Sequence, residues 1–441
     1  MKPSVKAKPN SIAHTSGKQL AAESHNDGTS EEEPPGPAAT EEPPGSPAAN
    51  RQRLFGRVPD SDWNDWRWHF RNRITTVDRL ASLIPLSAEE QSQLRLVTLK
   101  YPLAITPYYL SLIDPDDPDD PIRKQAIPSI LEITMGMQGQ EDPLEERRYS
   151  VVPGLVHRYP DRVLMVLTDI CPMLCRHCTR KREWQDGGWV RPPAEVTAML
   201  DYIRSHDSIR DVIISGGDPL TLATPRLEAV IAAIRGIKHV EIIRIGTRFP
   251  VVLPQRIDTE LCAMLGRYGP IWLNTHFNHH NEVTQEAAAA CDQLLRSGVP
   301  VNNQSVLLRG VNDSVAAQLK LCQGLLRSKV RPYYLFQCDE VQGTEHLRTP
   351  VDTGLDIIEG MRGHTSGLAV PTFVIDLPGG GGKVPLQPNY VVAQKDDERL
   401  LRNFEGQFFP CRDPHPQTEP VPAGLNPAPI GEAEQVLETV A

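Results

Sequence analysis

"VLMVLTDICPMLCRHCTRKR", Val163 to Arg182, is the stretch on which the reading of this chain turns. A short apolar run, "VLMVLT", has the length and aliphatic content of a buried strand. It is followed at once by Cys171, Cys175 and Cys178 in a CxxxCxxC pattern. Three thiolates within eight residues can wrap one face of a metal centre, but they cannot close a four-ligand site by themselves. Either a fourth ligand comes from elsewhere or one metal position stays open for a substrate or cofactor. Two plainer readings stand beside this one: unligated core cysteines, or a structural zinc with His177 or His157 as fourth ligand.

Outward from this stretch the rhythm repeats. Strand-like runs follow at 211–217, 240–247, 271–277, 302–308, 332–339 and 372–378. Helix-like segments such as "AEVTAMLDYIRSHD", "PRLEAVIAAIRGI" and "TQEAAAACDQLLRSG" lie between them. Strands alternating with helices predict βαβ units and a parallel sheet, closed as a barrel or doubly wound. In both arrangements ligands bind at the carboxyl ends of the strands, where this chain places its polar and glycine residues. Upstream, "TTVDRLASLI" and "SAEEQSQLRLVTLKY" carry apolar residues at helical spacing, with a capping box from Ser87 to Glu90. The expected organisation is a disordered tail over 1–55 and a helical module over 56–150. An α/β core over 151–395 and a mostly disordered extension over 396–441 complete it. The tail and extension are rich in Pro, Ala, Gly and Glu and offer little to bury.

The chain has 441 residues, enough for a large core. Its net charge of -10 argues against general binding to nucleic acid or to anionic membranes. No apolar run has the length of a membrane span, and no apolar stretch follows the N-terminal lysines as in a secretory signal. Eight cysteines are too few for a disulfide scaffold of this size. A soluble, cytoplasmic protein acting on a small molecule is the expectation.

"DLPGGGGKV", Asp376 to Val384, invites a phosphate-loop reading that fails. A Walker loop needs glycine six residues before the lysine and a hydroxyl after it; here Leu377 and Val384 stand there. A plain turn remains open, but four glycines carry a large entropic cost for one. The alternative is a flexible or closely approached mount for Lys383, whose amine can form a Schiff base with an aldehyde cofactor such as pyridoxal phosphate.

CxxxCxxC after the first strand of such an array resembles the radical S-adenosylmethionine superfamily. The resemblance implies a [4Fe–4S] cluster on Cys171, Cys175 and Cys178, with S-adenosylmethionine on the open iron. "ISGGDPL" resembles the superfamily's glycine-rich strand, which implies S-adenosylmethionine contacts at Ser215, Gly216, Gly217 and Asp218. The longer segments "GTRFPVVLPQRI", "WLNTHFNHHNE", "NNQSVLLRGVND", "RPYYLFQCD" and "PTFVIDLPGGGGK" resemble the lysine 2,3-aminomutase family over residues 60–407. That family implies a partial (β/α)6 barrel and an isomerase. It places pyridoxal phosphate on Lys383, the phosphate at Arg158 and Arg162, and the substrate α-carboxylate on Arg180. Asp339 and Asp376 take the distal ammonium of lysine, and His276 and Gln304 face S-adenosylmethionine.

Two carboxylates in one pocket oppose each other's ionisation unless a cation lies between them, so Asp339 and Asp376 also point to a cationic guest on physical grounds. The competing view is that Asp376 only caps its turn. Arginine is the alternative substrate, since its fork also suits carboxylates. A non-catalytic iron–sulfur carrier or binding module is the alternative from another class. Implied partners are an amino acid, an external one-electron donor of the flavodoxin or ferredoxin type, and a second copy of the chain. Two departures from the family pattern stand out. Ser314 follows "GVND" where a zinc-ligating cysteine is common, and no cysteine lies beyond Cys411, so the intersubunit zinc and the tetramer built on it are not expected. Phe336 stands where a tyrosine is common.

Overall fold

The computed structural model describes residues 47–135, 139–184, 187–395 and 397–414. Ten strands form one sheet in sequence order: β1 (Ser150–Val152), β2 (Leu155–Tyr159), β3 (Arg162–Val166), β4 (Asp211–Ser215), β5 (Ile242–Gly246), β6 (Ile271–Thr275), β7 (Val301–Leu307), β8 (Arg331–Gln337), β9 (Thr372–Leu377) and β10 (Gly382–Leu386). Every neighbouring pair from β3 to β9 is parallel. Antiparallel strands extend both edges, β1 and β2 on one side and β10 on the other. Six helices make the crossovers: Pro193–Arg204, Thr224–Arg235, Thr259–Arg267, Gln285–Arg296, Val315–Arg327 and Val351–Met361. Each strand read from the sequence is present within a few residues.

The alternation along each strand explains the shape. On β4, Val212 and Ile214 are buried while Asp211, Ile213 and Ser215 are half-buried; β5 repeats this pattern. From β3 to β6 the buried set packs under the crossover helices in the main core, while Leu307, Leu335 and Phe373 of β7–β9 belong to a second cluster with Ile357, Ile358 and Met361. The other set, from β3 round to β10, lines a single cavity. The sheet therefore curls into an open barrel, and its concave face holds a cavity instead of a packed interior.

The expected capping box is present, with Ser87 and Glu90 bonding reciprocally at the start of Ala88–Thr98. The rest of the helical module is shorter and more broken than its periodicity suggests. Pro102, Pro115, Pro118 and Pro128 lie in breaks between helices, and Pro107 and Pro121 open short ones, since proline is tolerated in a helix's first turn and not in its interior. Two boundaries also move. Residues 47–55, expected in the tail, form a helix, and the buried Asn50 amide donates to the carbonyls of Ser111 (3.1 Å) and Ile113 (2.9 Å). Composition alone missed it because one tertiary anchor outweighs a low apolar content. Val391–Lys395, Glu398–Arg402 and Phe408–Arg412 form a separate three-stranded antiparallel sheet, the last two strands of which lie in the segment expected to be mostly disordered. The remaining parts of both expected tails lie outside the described residues. No described helix is long and apolar enough to cross a membrane.

Candidate active site

The cavity of about 790 Å³ gathers fourteen of the fifteen residues singled out above; only Gly216 does not line it. Cys171, Cys175, Cys178, Arg180, Ser215, Gly217, Asp218, His276 and Gln304 lie toward one end. Arg158, Arg162, Asp339, Asp376 and Lys383 lie toward the other.

At the first end the cysteine loop crosses directly over the tip of β4. A Cβ on Gly216 would strike the backbone of Thr168, and one on Gly217 would strike that of Asp169 and Ile170. The two glycines are thus required by the passage of the cysteine loop. Asp218 lines the cavity, and its side chain is structural: the carboxylate accepts from the Thr247 hydroxyl (2.7 and 2.9 Å) and from the backbone N–H groups of Arg248 (2.8 Å) and Leu220 (3.1 Å). It braces the end of β4 to the end of β5, and burial pushes its pKa up to about 7.

The most consequential residue that sequence reasoning passed over is Arg248. Its guanidinium donates to the Cys175 sulfur (2.9 Å), to Gln125 (2.6 Å), to Glu282 (2.7 Å) and to the His276 carbonyl (3.0 Å). Glu282 also accepts from the Tyr109 hydroxyl at 2.6 Å. Arg248 and Glu282 are both buried, and no solvent competes for these bonds. A second buried group holds the loop from behind. Glu132 accepts from Arg176 (2.6 and 2.9 Å) and from Lys181 (2.8 Å), tying the cysteine loop to the helical module. The basic run "TRKR" therefore divides. Lys181 points into the core, while Arg180 and Arg182 both meet Glu146, another residue without a local sequence signal.

Burial and the neighbouring Cys178 push the Cys171 thiol well up, and burial pushes Cys178 up to about 11. With Cys175 beside them on the same wall, the three cysteines favour a cationic metal centre that takes the place of thiol protons. Among the described residues, no three His, Cys, Asp or Glu side chains are grouped to hold a single metal ion. A polynuclear centre, each thiolate on its own metal, needs no such convergence. His157, one of the zinc alternatives, bonds the Tyr202 hydroxyl instead (2.9 Å) and does not line the cavity. Burial and Arg248 lower His276 to about 4, so it is neutral near pH 7.

The second end is built on the β9–β10 hairpin. Lys383 faces Asp376 across it in register, and its ammonium lies 2.8 and 2.9 Å from the two carboxylate oxygens. It also stands 5.0 Å over the Phe336 ring. Burial first, and then the Asp376 charge, push Asp339 up to about 7. The four glycines form the hairpin turn, and three of them need it: φ is +69° at Gly379, +70° at Gly380 and +92° at Gly382. The turn reading left open above is thus part of the answer. Close approach is the other part, since a Cβ on Gly380 would lie 2.5 Å from the Tyr149 ring. Arg158 bonds the Gly380 carbonyl, and Arg162 lies 4.1 Å over the Tyr159 ring, whose hydroxyl accepts from the Lys383 N–H (3.0 Å).

Residues 165–320 match the Radical SAM superfamily, and residues 358–429 match the Lysine-2,3-aminomutase family. Over 364 residues the chain is 56% identical to L-lysine 2,3-aminomutase of Clostridium subterminale, covering 82% of this chain and 88% of that one. The chain belongs to the lysine 2,3-aminomutase family.

It is also 51% identical to L-lysine 2,3-aminomutase of Bacillus subtilis (strain 168), over 82% of this chain and 77% of that one. Identity to glutamate 2,3-aminomutase of Clostridioides difficile (strain 630) is 43%, over 80% and 84%. As a radical SAM member of the lysine 2,3-aminomutase family the protein is an isomerase, an aminomutase. Membership implies a [4Fe–4S] cluster, S-adenosylmethionine and pyridoxal phosphate. The donor sets fit: three thiols beside a cationic hydrogen-bond donor at one end, and a primary amine with two arginines at the other.

Proposed function

We propose that this aminomutase moves the α-amino group of L-lysine to the β-carbon, giving β-lysine. The observation that carries the substrate is the Asp339–Asp376 pair, with the Lys383 ammonium bonded to Asp376 and the Arg348 guanidinium acting only through its charge on Asp339. When bound, the cluster with S-adenosylmethionine supplies a radical that takes hydrogen from the β-carbon, and pyridoxal phosphate supplies the π-system across which nitrogen migrates.

The chain's own part is to bind and orient. Cys171, Cys175 and Cys178 hold the cluster. Ser215, Gly217, His276 and Gln304 line the wall beside it, with Gly216 behind them. Lys383 holds pyridoxal phosphate, with Arg158 and Arg162 for its phosphate. Once the Lys383 amine is engaged, Asp376 loses its counter-ion and, with Asp339, offers two carboxylates to a new cation. The distal ammonium of lysine answers that need, and a glutamate side chain does not. Arg180 receives the α-carboxylate. An external one-electron donor supplies the cluster, and the working unit is a homo-oligomer.

Product analysis tests this directly. Anaerobically reconstituted protein with S-adenosylmethionine, pyridoxal phosphate and dithionite is offered lysine, arginine, ornithine and glutamate separately. β-Lysine as the main product supports the proposal, and turnover of arginine alone moves the substrate to that amino acid.

A further inference from the structure

Arg180 does not stand free in the cavity. Its Nε and Nη2 atoms donate to the two oxygens of Glu146 at 2.9 and 2.6 Å, and Nη1 donates to the Gly216 carbonyl at 3.0 Å. A guanidinium has five N–H groups in one plane. Three are taken, which leaves one N–H on each terminal nitrogen free for a further acceptor. Glu146 does not neutralise Arg180 alone, because it also accepts from Arg182 at 2.8 Å. Two guanidinium groups thus share one close carboxylate, with Asp142 (3.4 Å) and Glu183 (3.5 Å) farther off beside Arg182. Arg180 keeps positive charge toward the cavity while its plane is held on two sides.

Glu146 is itself anchored. Its N–H donates to Asp142 at 3.1 Å, and its segment meets the glycine hairpin where the Gly379 N–H donates to the Pro143 carbonyl at 3.2 Å. Leu144 and Glu146 line the same cavity as Lys383. Burial alone would push Glu146 up, but Arg180 and Arg182 bring it down to about 2, so it stays ionised under working conditions.

We infer that Glu146 is a positioning residue for the α-carboxylate of the substrate: it locks Arg180 side-on so that the two remaining N–H groups face the amino acid. The inference rests on the function proposed above for Arg180. It excludes the opposite role, in which Glu146 occupies the carboxylate seat and must be displaced by substrate.

The test uses reconstituted holoenzyme with Glu146→Gln and Glu146→Asp, and the amino acid that the wild type turns over. Glu146→Gln keeps the side chain's shape but presents an amide N–H to a guanidinium donor, so KM should rise about tenfold or more with kcat changed less than about threefold. Glu146→Asp, which keeps the charge, should fall between. The discriminating readout is inhibition by 1,5-diaminopentane, which lacks the carboxylate: its inhibition constant should not change in either variant. A lowered KM in Glu146→Gln would show that Glu146 competes with substrate and overturns the inference. An unchanged KM, or equal weakening of amino acid and diamine, also overturns it. Failure of wild-type enzyme to convert lysine is a separate outcome. It would count against lysine as substrate, and the same comparison would be made with whichever α-amino acid reacts.

Discussion

The two ends of the cavity are built on different physical terms. At the cysteine end, Arg248, Glu282, Gln125 and Tyr109 form a buried set in which each charge has a partner, and Glu132 with Arg176 and Lys181 repeats the device behind the loop. The backbone there is interlocked, with Gly216 and Gly217 pressed against 168–170. At the lysine end the catalytic candidate sits on an edge hairpin with a turn of glycines, and the Lys383 side chain is 36% exposed. Its ammonium pairs with the Asp376 carboxylate, and a bound cation can take the ammonium's place there. A resident metal cluster calls for fixed thiols. A cofactor and substrate that exchange on one amine call for a partner that can be released.

Breaking the lysine end at its centre should have the largest effect on turnover. Lys383→Ala is expected to lower turnover about a thousandfold or more, since an amine nucleophile has no substitute there. The iron–sulfur absorbance of the reconstituted protein should be unchanged, and borohydride should no longer trap pyridoxal phosphate on the chain. Loss of the iron–sulfur spectrum in this variant would show that the two ends are not separable.

Arg248→Met probes the other end. It leaves Glu282 buried without its cation, which costs about 3–5 kcal/mol of stability, read by urea denaturation. Arg248→Met combined with Glu282→Leu should recover part of that loss, because the stranded charge is gone. No recovery would mean that the bond to Cys175, not the ion pair, holds this end together.

The acidic pair gives a pH signature. Asp339, raised to about 7, takes up a proton as pH falls through that value. The pocket then loses one of its two negative charges, and a cationic substrate binds less well. kcat/KM should therefore fall below pH 7 and level off above it, and Asp339→Asn should remove that limb while raising KM about ten- to hundredfold. A limb that survives the substitution assigns it to another group. The same shift has a stability consequence. A carboxyl whose pKa is raised by folding favours the folded state more at low pH, so this residue's contribution declines as pH rises from about 4 to 7.

The smallest effect is expected at the hairpin. Gly380→Ala places a side chain at φ +70° and against the Tyr149 ring, and should cost about 1–2 kcal/mol, seen as a lower melting temperature. The cysteine-end spectrum should not respond.

Much of this was legible in the chain itself. Short apolar runs at 211–217 and 240–247 and the helix-like segments between them were enough for the parallel array. Cys171, Cys175 and Cys178 announce themselves by spacing, and Asp376 and Lys383 lie seven residues apart on facing strands of one hairpin. The glycines were only half understood. Their positive φ values and their contacts with 149 and 168 belong to the folded backbone. The bracing role of the Asp218 carboxylate could not be read from its motif, because its partners Thr247 and Arg248 lie at the next strand's end.

What the sequence by itself determined is the set of elements and the reactive groups, because strand, helix and motif are written in windows of a few residues. What only the tertiary structure decided is which charges meet. Arg248 gains its place from Tyr109, Gln125, Cys175 and Glu282, and Arg180 from Glu146, 34 residues away. An ion pair between distant segments leaves no periodic trace in the chain. Its partners become a pair only when folding removes the water that would otherwise keep them apart.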